Sequence, residues 1–196
     1  MRTRPRLATP LKGRGPDEGL CRPLVLTLIP QAEILEHTGR MSALVDDLLV
    51  LARADAGIEL RQDTTFDLLE VARTTCHEAA VLAERRPVGL CFDTPDEVIM
   101  ARGDKVSLQR LLLILLDNAV RYSPDGGTVE MIVARECCDD GPEVVITVLM
   151  RGIGLDAADM PRIFERIYRG KRARQHAPDG NGLGLAIART IADQPL

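Results

Sequence analysis

LLLILLDNAVRYSP, Leu111 to Pro124, is the stretch that decides the fold. Its leucines recur at helical spacing, and with Leu108 they extend an amphipathic pattern from about Lys105 to Tyr122. Leu108, Leu111, Leu112, Leu115 and Ala119 form the stripe expected to be buried, while Ile114, Asn118 and Arg121 fall on another face. That second face carries an amide and a guanidinium. An amide oxygen is a neutral ligand for a hard cation, and a guanidinium is a fork for phosphate. The same pair would also suit an ordinary solvated helix face.

Outward from this helix, the chain divides by composition. Residues 1–30 contain Pro5, Pro10, Pro16, Pro23 and Pro30, so no long helix is expected there. In residues 31–60, Met41, Leu44, Val45, Leu48, Leu51 and Ala52 make a narrow heptad-like seam, with Gly57 as a stop. Such a seam suits a bundle or a dimer. Residues 61–196 begin with a helix predicted over Phe66–Glu84, with Asp67 as N-cap. Strands are predicted at Val88–Phe92 and Val98–Ala101. A hairpin is predicted from Thr128–Ala134 and Val144–Leu149 around Asp139, Asp140 and Gly141. A short helix near Asp159–Glu165, a polar loop and a last helix from about Gly184 complete an α+β pattern, a two-layer sandwich.

Composition removes several function classes. The net charge of −4 and a pI near 5.5 disfavour a nucleic-acid partner, and Trp-free, aromatic-poor content disfavours base stacking. No run approaches the roughly 18 apolar residues of a membrane span, and the basic start lacks the apolar core of a secretory signal, so a cytoplasmic location is expected. Cys21, Cys76, Cys91, Cys137 and Cys138 form no C-x-x-C pair and are odd in number, which points to reduced structural thiols.

Two glycine segments add chemistry. Arg151-Gly152-Ile153-Gly154 follows a strand, and Gly180-Asn181-Gly182-Leu183-Gly184 precedes a helix. Glycines let backbone amides approach a phosphate, and a helix N-terminus adds positive potential. Between the two segments, Lys171, Arg172 and Arg174 lie in the polar loop. Glycines also make plain turns, and cations also make solvated loops.

Taken in order, LLDNAVRYSP, IFERIYRG (Ile163–Gly170) and GNGLGLAIA resemble the asparagine, phenylalanine and second glycine boxes of two-component sensor histidine kinases. RMSALVDDLLVLARADAG resembles the second helix of their dimerisation and phosphoacceptor hairpin. The resemblance runs from about Arg40 to Ala192. It implies the histidine-kinase ATPase fold, with ATP and Mg²⁺ as cofactors. Asn118 would ligate the metal, Arg121 would approach the triphosphate and Tyr122 would flank the nucleotide. Met150, Gly152 and Gly154 would border the adenine pocket. Gly180, Gly182, Leu183 and Gly184 would shape the phosphate loop, and Tyr168–Asn181 would be a lid carrying Arg172 and Arg174. A response regulator or an intact kinase is the implied partner, with a homodimer or heterodimer through residues 41–56.

Against this family pattern four departures stand. The phosphoacceptor box is reduced to Arg4-Pro5-Arg6-Leu7-Ala8-Thr9-Pro10-Leu11, with Pro5 where histidine is expected. Proline offers no imidazole nitrogen, so autophosphorylation in cis is not expected. His37, His77 and His176 lie outside the box. Met150 stands where the first glycine box begins with an aspartate that accepts the adenine amino group. Losing a charge-assisted hydrogen bond removes roughly 1.5–3 kcal/mol, about ten- to a hundredfold in affinity. Ile114 replaces a second asparagine of the box. The family also continues into further strands beyond the final helix, so 61–196 is expected to lack them. The implied function is that of a histidine kinase-like ATP-binding domain, a phosphotransferase by family, with impaired catalysis. The alternative is a pseudokinase, an interaction module pairing with an intact kinase.

Overall fold

The computed structural model describes residues 31–56, 63–83, 86–138 and 141–193. The phosphoacceptor-box region, Pro5 included, and the Gly57 stop lie outside them. The chain divides at Thr38/Gly39 into two units; of the first, Gln31–Thr38 is described and is helical.

Eleven described elements follow one another. They are α1 (Gln31–Asp55), β1 (Asp63–Asp67), α2 (Leu68–Ala83), β2 (Gly89–Asp93), β3 (Met100–Asp104), α3 (Lys105–Tyr122), β4 (Thr128–Cys138), β5 (Gly141–Met150), a 3-10 turn (Met160–Arg162), α4 (Lys171–His176) and α5 (Gly184–Ala192). Strands β2, β4 and β5 form one sheet in the order β2-β4-β5, with β2 parallel to β4 and β4 antiparallel to β5. Strands β1 and β3 form a separate antiparallel pair. This is the α+β arrangement that the sequence predicts.

Alternation along β4 buries Val129, Met131 and Val133, while Glu130 on the opposite face is exposed. Leu90 and Phe92 of β2 and Ile146 and Val148 of β5 extend the same inner face. Helices α2 and α3 cover it with Val71, Ala72, Ala79, Leu108, Leu112 and Leu116. Leu116 and Met131 are fully buried, and each such side chain contributes about 1.5–3 kcal/mol. Thr75 is buried with them because its hydroxyl donates to Val71 O at 2.8 Å on its own helix.

Two devices fix α3. Asp104, the last residue of β3, accepts from Val106 N (3.0 Å), Ser107 N (3.3 Å) and Ser107 Oγ (2.9 Å), capping the helix without a linker. At the far end, Ser123 donates from N and Oγ to Ala119 O, and Pro124 follows.

Several expectations are corrected. Phe66 belongs to β1; α2 starts at Leu68, where Asp67 accepts from Leu69 N at 2.9 Å. Val98 precedes β3, which runs to Asp104. Leu111 and Leu115 are only half-buried, and Leu116 and Val120 take their places in the core. The reason is that α3 is covered on two sides. Its sheet face meets β4, whereas Leu111 and Ile114 pack against a second cluster of Leu51, Leu183, Ile187 and Ile191. The α1 seam divides likewise: Leu44 and Leu51 pack inward, while Met41, Val45 and Leu48 are exposed. Asp159–Glu165 yields only the 3-10 turn at Pro161. The polar loop contains a helix, α4. Among the described residues no helix is long and apolar enough to cross a membrane.

Candidate functional site

The glycine segment that opens α5 lies against the middle of α3. A Cβ added at Gly184 would stand 3.3 Å from Cγ2 of Ile114 and 3.5 Å from Nδ2 of Asn118. Absence of that carbon keeps the Asn118 amide beside the first turn of α5. Gly182 is held at φ +70°, and its carbonyl accepts from Ile167 N at 3.0 Å. Leu183 is buried with Leu51 and Ile187, and its amide donates to Asn181 Oδ1 at 3.0 Å. The loop is thus anchored from below by one leucine and from the side by one amide.

At the other end of α3, Tyr122 O accepts from Ile153 N at 3.3 Å, which seats the first glycine segment on the helix C-terminus. A Cβ at Gly152 would collide with the Met150 methyl and stand 2.7 Å from Tyr122 O. The thioether therefore folds back over Gly152. Gly154, at φ +71°, lies beside Arg172 Nη1. The Tyr122 ring faces that of His176 at 6.3 Å between centroids. Gly184 thus lies at Asn118 and Gly152 at Tyr122, four residues further along α3, with Gly154 beside Arg172 of α4.

The cations are less free than their sequence suggests. Arg121 turns to Asp117 on its own helix at 3.0 Å, and its carbonyl accepts from Arg86 Nη1 at 2.8 Å. Arg172 Nη2 stands 2.7 Å from Asp156 Oδ1, and its Nη1 donates to Ile153 O at 3.2 Å. Lys171 and Arg174 are exposed.

Residues that the sequence did not single out organise the segment. Arg169 donates from Nη1 to Pro178 O (3.0 Å) and Gly180 O (2.8 Å), and from Nη2 to Ala173 O (2.9 Å) and Ala177 O. Its guanidinium thereby closes the C-terminal end of α4 and sits under Gly180, whose added Cβ would lie 3.1 Å from Cζ. Tyr168 OH donates to Asp159 Oδ1 at 2.7 Å, and this bond holds the phenol above its ordinary pKa. Arg162 lies over the Tyr168 ring at 4.1 Å. From α1, Asp47 accepts from Arg110 Nη2 (2.9 Å) and Asn181 Nδ2 (3.5 Å). Ile167 sits at φ +63°, a strained position for a β-branched residue, directly opposite Gly182. Among the described residues no group of three His, Cys, Asp or Glu side chains converges as a metal site.

Residues 103–195 match the family described as histidine kinase-, DNA gyrase B- and HSP90-like ATPases. Sensor protein SphS of Synechococcus elongatus is 35% identical over 167 residues, covering 82% of this chain and 39% of SphS. Sensor histidine kinase CusS of Escherichia coli is 38% identical, covering 80% of this chain and 32% of CusS. The chain thus spans about a third to two fifths of the length of these relatives. Among solved structures, full-length ShkA in complex with AMPPNP superposes with a TM-score of 0.64 at 27% identity, over 81% of this chain and 32% of ShkA.

Proposed function

Because the chain belongs to the sensor histidine kinases and carries their ATPase domain at residues 103–195, we propose that it is a two-component signalling protein that binds ATP weakly and with little base selectivity. The observation that carries this reading is the side chain of Met150. At the phosphate end the residues fit the ligand: Gly184 leaves room beside Asn118, and Gly182 two residues earlier holds a positive φ. Asn118 would share Mg²⁺ with phosphate oxygens, and Gly180, Gly182, Leu183 and Gly184 would line the phosphates. Tyr122, Gly152 and Gly154 would border the base, with Arg121, Arg172 and Arg174 as the cations at hand. ATP, once held, supplies the phosphoryl group.

The base end fits less well. A methyl group stands over Gly152 where a carboxylate would receive an adenine amino group. Thioether sulfur packs on aromatic faces at about 0.3–1.5 kcal/mol, less than a charge-assisted hydrogen bond supplies. Pro5 removes the nucleophile from the chain's own box, so any phosphoryl transfer would run to a partner's histidine. The partners are a response regulator or an intact kinase, met in the cytoplasm.

A second reading is favoured by a different observation. Met41, Val45 and Leu48 form an exposed apolar line on α1. Such a face suits a homodimer or heterodimer, as a pseudokinase module without chemistry would need. Calorimetric titration with Mg-ATP separates the two, with Met150→Asp alongside. Weak binding that Met150→Asp strengthens about tenfold or more supports the ATP-binding reading. Absence of binding in both leaves the interaction module.

A further inference from the structure

Arg172, one of the cations read as a phosphate contact, already holds a carboxylate. Arg172 pairs with Asp156 Oδ1 at 2.7 Å while its second nitrogen donates to Ile153 O. Asp159, three residues on, accepts from Tyr168 OH, and its other oxygen fills the space beside Gly170. Two acidic side chains of one short segment, 153–159, therefore hold the start of the 168–181 segment. Arg169 holds the rest from inside through the carbonyls of Ala173, Ala177, Pro178 and Gly180.

We propose that Asp156 is a built-in competitor for phosphate groups at Arg172: it occupies the guanidinium, keeps residues 168–181 clasped to the first glycine segment, and must be displaced when a polyphosphate binds. This rests on the nucleotide-binding reading and adds to it a residue that sets affinity. A carboxylate and a phosphate present the same kind of anionic oxygen to the same two-pronged donor, so they exclude each other. Both partners are about half exposed, 55% and 44%. Exposed pairs of this kind are weak, so a polyphosphate can displace Asp156 without unfolding its surroundings. The ligand's apparent affinity falls in proportion to the fraction of molecules in which Arg172 is taken.

Two measurements on the full chain test this, with Asp156→Asn, Asp156→Ala, Arg172→Ala and the Asp156→Asn/Arg172→Ala pair. In calorimetry, inorganic tripolyphosphate and Mg-ATP are expected to bind the Asp156 variants about two- to fivefold more tightly than the natural sequence. That gain should vanish in the Arg172→Ala background. Without ligand, trypsin is expected to cut after Lys171 and Arg174 about two- to fivefold faster in the Asp156 variants. Tighter binding that depends on Arg172 supports the competitor role. Binding by the natural sequence that the Asp156 variants leave unchanged overturns it and spares the nucleotide reading. If no protein binds either ligand, the nucleotide reading and the competitor role fall together. Faster cleavage would then still establish the clasp as a structural closure, whereas equal cleavage rates overturn the clasp whatever the titrations give.

Discussion

Arg166 and Asp55, 111 positions apart, form a two-pronged ion pair with nitrogen–oxygen distances of 2.7 and 2.5 Å. It joins the end of α1 to the segment that precedes residues 168–181. The Arg166 guanidinium holds the Asp55 carboxyl below its ordinary value. A depressed carboxylate contributes attachment that is fully present above its unfolded pKa of about 3.9 and is lost as pH falls through the folded value. Hydrogen exchange in α1 is therefore expected to be insensitive to pH between about 5 and 7, once corrected for intrinsic rates, and to rise below about 4. Asp55→Asn should remove that acid-dependent rise. Because both side chains are exposed, added salt should weaken the attachment as well.

Leu51 is the apolar counterpart of this pair. It is 3% exposed and packs with Leu183, Ile187 and Ile191. Leu51→Ala is expected to cost about 2–4 kcal/mol, since it removes buried methyl groups and leaves a cavity beneath the second glycine segment. Urea unfolding with α1 signals followed separately checks this. Loss below about 1 kcal/mol would mean that α1 is not held by that cluster.

Asp104 caps α3 with three bonds and is itself buried, so its removal orphans two amides and a hydroxyl. Asp104→Ala should destabilise by about 1–2 kcal/mol, and Asp104→Asn by less, because an amide oxygen can still accept. Thermal melts of the two variants measure the difference. Equal losses would assign the effect to charge rather than to capping.

Much of the fold was legible because its signals are local. Helix α3 is bounded by Asp104 and by Ser123-Pro124, so Lys105 and Tyr122 could be read directly. The apolar runs Thr128–Ala134 and Val144–Leu149 marked the paired strands β4 and β5, while Asp139 and Asp140 of the expected turn lie outside the described residues. Strand β1 was invisible because DTTFD holds one apolar side chain, and its identity comes from pairing with β3. Helix α4 was invisible for a related reason: KRARQH has Ala173 as its one apolar residue, and the group that closes it is Arg169, outside its own range. At the site, the glycines announced themselves, but what each cation holds did not. Asp156 lies sixteen positions before Arg172, and no local spacing pairs them.

Gly182 offers the most direct test that the glycine segment is a shaped loop and not a plain turn. It sits at φ +70°, where a side chain is strained, and an added Cβ would come within 2.9 Å of both Ile167 C and Tyr168 O. Both are backbone atoms, so no rotamer can relieve the clash. Ile167 already occupies a positive φ of 63° to meet the Gly182 carbonyl, leaving that side of the contact with little freedom to retreat. Gly182→Ala should therefore cost about 1–3 kcal/mol, and the damage should concentrate in the 167–182 segment. Gly126 is the control: it shares a positive φ of 80° but has open space around its Cβ, so Gly126→Ala should cost only the backbone strain, about 1 kcal/mol. Thermal melts compare the two, and tryptic cleavage after Arg174 locates the effect. If Gly182→Ala is no more harmful than Gly126→Ala, the Ile167–Gly182 contact does not constrain the loop.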